Sequence, residues 1–191
     1  MIEATLRCLK KYGHDGVSIR KISAEAGVSI GLINHHFPNK SGLVAEAYST
    51  LAGSLQGALL AQAQTPNATP RERLSGFFQA SFAPELIDPA LFNVWIVFWS
   101  MVRHSDEIRA VHDRTYGAYR KVLEGLLRDL SDSKNVPRFQ LKPAAIGLSA
   151  LLDGLWVELS LSPSTIESAD AIALCEDWVN ALCIGGFPRL Q

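Results

Sequence analysis

Between Ser18 and Lys40 the chain collects side chains suited to reading a nucleic acid. Ser29, Ile30, Gly31, Leu32, Asn34, His35 and His36 crowd a stretch long enough for two helical turns. Short polar and apolar side chains on an exposed helix can meet base edges in a major groove. Ser18, Arg20 and Lys21 precede them and Lys40 follows. Cations so placed suit phosphates, which fix register without reading sequence. His35 and His36 are neighbours, and adjacent helical positions point about 100° apart, so one metal ion is not easily shared. Groove or phosphate contact is the expected use of the pair; a solvated helix end is the alternative.

These residues need a scaffold, and the local signals supply one. Ser18 is an N-cap type ahead of a helix to Ala26. Gly27 can take the positive φ of a tight turn. Ala24 is small enough for close helix approach, and Val28 and Ile33 are expected to face inward. Ser29 caps a short third helix that ends near His36, because Pro38 cannot continue it. An earlier helix over 2–12 ends at Gly13, and Ser41 is the expected cap of a fourth helix reaching about Gln64. Helix four's N-terminal amides also favour an anion near Lys40.

Charge supports the same reading. The formal net charge is -1, which by itself indicates no nucleic-acid partner. Residues 1–43 nevertheless carry six Lys or Arg against three acids, and the remainder carries 12 against 16. A basic module on an acidic body suits phosphate binding, although chance clustering of three charges produces the same asymmetry. Cys8, Cys175 and Cys183 are widely scattered, in no zinc or disulfide spacing. Reduced thiols and a cytoplasmic location are expected.

Periodicity is helical throughout the rest, with no alternating strand pattern. Helices are expected over about 71–82, 90–103, 106–131, 142–161 and 166–184, separated by polar or proline-bounded loops that include Asp132–Pro137 and Ser162–Ser164. The apolar run from Ala144 to Leu161 contains Asp153 and Glu158 and is expected to be a buried helix, with no membrane contact. The fold class is all-α with about nine helices. A three-helix DNA-binding domain over 1–44 precedes a helical domain over 45–191.

Phe92, Trp95 and Trp99 share one helix face, and Trp156 lies one turn after Asp153. Aromatic faces attract cations, quaternary ammonium groups above all, with Asp153 or Glu158 as countercharge. The same residues could equally fill a large core.

Residues 18–43, SIRKISAEAGVSIGLINHHFPNKSGL, resemble the TetR family of bacterial regulators. Gly27, Val28, Ser29, Gly31, His36, Phe37, Lys40 and Leu43 match the family pattern in spacing. Asn34 stands where an aromatic is usual. Members often carry a basic stretch ahead of helix one; here the sequence starts at that helix, implying a missing or truncated arm and weaker DNA binding. The resemblance implies a homodimer joined through the last two helices, with Leu148, Leu151, Leu152, Leu155 and Leu159 on one and Ile172, Leu174, Val179 and Leu182 on the other. Simple burial within one chain is the alternative use of these residues. The resemblance also implies a palindromic double-stranded operator, a small-molecule effector and no cofactor.

Residues 94–100, VWIVFWS, and 151–157, LLDGLWV, are similar to the choline-responsive BetI-type branch. They imply choline or a related quaternary amine as effector. The alternative is a TetR-type regulator of efflux or catabolism that senses a lipophilic or aromatic ligand. A helical enzyme is not expected: no nucleophile–base pair, phosphate loop or metal cluster is visible. A protein-interaction module is disfavoured by Arg20, Lys21 and Lys40.

Overall fold

The computed structural model describes residues 1–133, 139–162 and 164–185. Among them nine helices and no strand occur, in keeping with the all-α expectation. They are α1 (Ile2–Gly16), α2 (Ile19–Ala26), α3 (Ile30–His36), α4 (Lys40–Ala63), α5 (Pro70–Ser81), α6 (Pro89–Met101), α7 (Asp106–Ser131), α8 (Leu141–Leu161) and α9 (Ser168–Cys183). The loop expected over Asp132–Pro137 is described only to Ser133. Its remainder, like Pro163 in the break after α8, lies outside the described residues.

The chain divides into two compact units. The first comprises Met1–Leu55 with Pro89–Gly117, and the second Gln56–Asp88 with Ala118–Gln191. In the first, α1 packs on α2 and α6, and α2 packs on α3. Cys8 and Leu9 of α1, Ile22 of α2, Ile33 of α3 and Leu43 and Tyr48 of α4 are buried there, with Phe92 and Phe98 of α6. Each large apolar side chain so buried contributes roughly 1.5–3 kcal/mol. Arg7 of α1 also donates from Nε to Glu25 of α2 at 2.6 Å.

In the second unit α9 packs on α8 and on α5. A side chain on Gly147 would place its Cβ 3.1 Å from the Trp178 ring, so the glycine gives that ring room on α8. Arg71 of α5 pairs with the Glu176 carboxylate and donates to Asn180 Oδ1 at 2.8 Å. Thr69 and Glu72 form a reciprocal capping box that starts α5, with Pro70 in the first turn. By length and composition α8 could cross a bilayer. Here Leu148, Leu152, Leu155 and Leu159 of α8 are buried inside the protein.

Three local expectations need correction. Gly13 does not end α1: it takes φ 63 and ψ -175, kinks the helix, and α1 resumes to Gly16. Ser41 is not the cap of α4. Asn39 Oδ1 accepts from the Gly42 N–H at 2.7 Å, and the helix begins at Lys40. Ala24 is exposed and mediates no close approach; Ala26, beside the turn, is half-buried.

Candidate nucleic-acid interface and aromatic clusters

The turn between α2 and α3 forms as its residue types dictate. Ser18 is extended, and its hydroxyl accepts from the Lys21 N–H. Gly27 ends α2 in the left-handed region at φ 65. Ser29 repeats the capping device, accepting from the Leu32 N–H at 3.1 Å. The Ser23 hydroxyl donates to Val28 O at 2.5 Å and ties α2 to the turn. Ile33 is fully buried and fixes which face of α3 is inward; Val28 is half-buried.

The opposite face is open. Ser29, Ile30, Gly31, Leu32, Asn34, His35 and His36 are all exposed, as are Ser18, Arg20 and Lys21. The two imidazoles lie 5.2 Å apart, edge to face, and no cluster of three metal-ligating residues occurs among the described residues.

Two of the sequence-selected cations are already engaged. Lys40 is half-buried, and its Nζ donates to Val17 O at 3.2 Å and His14 O at 3.4 Å. Lys21 Nζ donates to Gly16 O at 2.6 Å and sits 4.2 Å from the centre of the Tyr12 ring. Both ammonium groups therefore meet the C-terminal carbonyls of α1, where a helix is electrically negative. His14 lies in the same network. Burial first, and then the nearby Lys40 charge, lower its pKa, and Asp15 opposes them. Its buried Nδ1 has no hydrogen-bond partner among the described residues. Sequence reasoning missed His14 and Tyr12. Only the basic residues of this contact left a signal, through their place in the motif.

Aromatic clusters form in each unit. In the first, Phe92 and Trp95 are buried and Trp99 is half-buried. Trp95 and Trp99 have ring centres 6.5 Å apart. Tyr48 of α4, fully buried, stacks on Phe98 at 4.5 Å and meets Trp95 edge-on at 5.4 Å. Its hydroxyl lies 3.0 Å from His112 Nδ1, and the His112 ring stacks on Tyr116. Tyr48, His112 and Tyr116 were not selected from the sequence, since nothing in the spacing links them to α6.

In the second unit Asp153 and Trp156 are half-buried on α8. Trp156 Nε1 donates to Leu86 O at 2.9 Å, which fixes the indole plane. Burial raises the Tyr119 phenol, and the Asp153 charge adds to the rise. The Tyr119 ring lies 6.0 Å from that of Phe77. Asp153 thus sits within electrostatic reach of an aromatic pair contributed by α5 and α7.

Comparison with known proteins places this geometry. Residues 1–47 match the tetR family of bacterial regulatory proteins. Residues 70–184 match the C-terminal domain of BetI-type transcriptional repressors. The transcriptional regulator BetI of Burkholderia lata is 28% identical over 95% of this chain and 91% of that protein. A transcriptional regulator of Pseudomonas aeruginosa PAO1 superposes with a TM-score of 0.92 at 49% identity, covering 97% of this chain and 89% of that one. A regulator of Saccharomonospora viridis, solved in complex with choline, shares the fold: TM-score 0.80, 22% identity, 94% of this chain and 93% of that one. Regulators of this kind are soluble, bind operator DNA and small-molecule effectors, and act as dimers; they are not enzymes. The two matched regions take up most of the sequence, and the chain belongs to the TetR family of transcriptional repressors, in its BetI-type branch.

Proposed function

We propose that this repressor reads a palindromic operator with α3 and is modulated by choline or a related quaternary amine. The observation that carries the DNA part is the open face of α3, held by the buried Ile33. Ser29, Ile30, Gly31, Leu32, Asn34, His35 and His36 are the groove residues, and Ser18, Arg20, Lys21 and Lys40 the phosphate side. Two reading heads related by a twofold axis meet half-sites separated by roughly 34–36 Å or more. The last two helices join the protomers. The functional division falls near residue 44, and the protein acts in the cytoplasm, where its operator lies.

The effector reading rests on the chemistry of each unit. In the first unit Trp99 is the half-buried member of the Phe92, Trp95 and Trp99 set, and the second holds Asp153 and Trp156, both half-buried. Quaternary ammonium groups favour aromatic faces, and a carboxylate supplies the countercharge. The effector shifts the reading heads only as far as its affinities for the two states differ.

Gel shifts at low salt with the promoter beside the protein's own gene test the DNA reading; an intact dimer that shifts no band refutes it. Calorimetric titration with choline, betaine and a neutral isostere of choline tests the effector. A loss of choline affinity of about tenfold in Trp99→Ala, the size of a desolvated cation–aromatic contact, assigns the effector to the first unit, and a comparable loss in Asp153→Asn assigns it to the second. Preference for the neutral isostere removes the cation argument.

A further inference from the structure

We infer that base-specific recognition by this repressor runs mainly through thymine methyl groups, held against Ile30 and Leu32, so that the operator is A·T-rich beneath α3. The inference rests on the reading of α3 as the groove helix.

The residues of α3 carry no Lys, Arg, Asp or Glu. The helix therefore lacks the bidentate cation that most often selects guanine and the carboxylate that accepts from cytosine. His35 and His36 offer single hydrogen bonds. What α3 presents instead is apolar: Ile30 is 40% exposed and Leu32 42%, while Ile33 is fully buried. Helical geometry sets Gly31 and His35 directly opposite Ile33. Ile30 and Asn34 form one flank of that line, and Leu32 and His36 the other.

Gly31 sharpens the argument. Its φ lies outside the left-handed region, and an added Cβ would meet only Ser29 Oγ, at an ordinary 3.8 Å. The protein's own packing does not require a glycine there. Its missing side chain leaves bare backbone on the outermost line of the helix, so base edges can approach until Ile30 and Leu32 touch them. Thymine is the one base with a methyl group in the major groove. Asn34 shares a flank with Ile30 and carries the amide that reads adenine in two hydrogen bonds. An adenine beside a thymine is the step this flank fits.

The test uses full-length protein and a randomised duplex pool. Retained duplexes are resynthesised with deoxyuridine in place of each thymine, which removes only the methyl group. We expect thymine-rich half-sites, and a loss of about fourfold per methyl contact, the size of one buried carbon. Ile30→Ala and Leu32→Ala should each bring the thymine-to-uracil affinity ratio to one at a single position, a ratio taken within each variant so that any loss of overall affinity cancels. Both side chains are exposed, so the fold is retained. Equal affinity for thymine and uracil duplexes, or half-sites of G·C pairs beneath α3, overturns the inference and leaves DNA binding intact. If no duplex is retained, the inference falls together with the DNA reading.

Discussion

Lys40 stands where its motif calls for a phosphate contact, yet its ammonium already rests on His14 O and Val17 O. The two duties differ in what their loss would change. A charged hydrogen bond is worth about 1.5–3 kcal/mol when well buried, and roughly 1 kcal/mol is expected at this half-open position. A phosphate contact acts through counterion release and changes the salt slope. Lys40→Ala should therefore lower stability by about 1 kcal/mol in urea titration and weaken binding to every duplex alike. Arg20→Ala should reduce the salt slope by about one and leave stability within about 0.5 kcal/mol. Unchanged stability in Lys40→Ala would remove the capping role. His14 adds a pH dependence. Burial and the Lys40 charge hold its folded pKa below the ordinary 6.5. Between those two values the unfolded chain binds more protons, so stability rises with pH across that window. The contribution is complete above about 6.5 and is lost as the pH falls toward the folded value. His14→Gln should flatten that part of the profile, seen as a smaller drop in urea midpoint between about pH 7.5 and 5. A profile identical to wild type would refute it. The motif position of Lys40 was legible in the sequence. Its partners, 26 and 23 residues earlier, were not, because no periodicity connects them.

At the scale of elements, signals confined to a few residues were the legible ones. Ser18, Gly27 and Ser29 do what their types predict, since each cap closes within three residues. At the start of α4 the expected cap is Ser41 and the structure uses Asn39; both side chains can accept from a nearby N–H, so local chemistry alone does not choose between them. The end of α1 failed for a different reason. A glycine after an apolar-periodic helix looks the same whether the chain leaves or resumes, and here it resumes toward Gly16, whose carbonyl Lys21 caps from another helix. The face shared by Trp95 and Trp99 was visible in the spacing, whereas the Tyr48–His112 contact spans 64 residues. The kink also gives a backbone prediction. Gly13 has φ 63 and ψ -175, and no atom lies within 4 Å of an added Cβ. Gly13→Ala should then cost about 1–3 kcal/mol purely through its backbone. Gly57, inside α4, has open space around an added Cβ and an ordinary φ. Gly57→Ala should stabilise by about 0.4–1 kcal/mol. Parallel denaturation curves of the two variants check the contrast; a Gly13→Ala curve at or above wild-type stability would overturn the assignment at Gly13, and a destabilised Gly57→Ala that at Gly57.

For the whole molecule, the controlling quantity is the pairing of two reading heads, and α8 and α9 carry surface suited to it. Leu148, Leu152, Leu155 and Leu159 of α8 and Cys175 and Val179 of α9 serve the unit's own core. Ile146 and Leu174 do not: they stay 47% and 46% exposed. A twofold interface places each such residue twice, so one substitution acts in duplicate. In the proposed interface through α8 and α9, Leu174→Glu would remove two apolar anchors and introduce two carboxylates, with desolvation costs that hydrophobic neighbours cannot offset. Because the leucine is half open within a single chain, helix content by circular dichroism should be unchanged. Sedimentation velocity at micromolar concentration should show a monomer, and affinity for a two-half-site duplex should fall to that for a single half-site. The order of effects separates this from damage to the DNA-reading helix: with Leu174→Glu, binding to one half-site survives, whereas Asn34→Ala weakens single and paired half-sites alike while the dimer persists. A Leu174→Glu, Ile146→Glu double variant that still sediments as a dimer would show that the protomers join elsewhere.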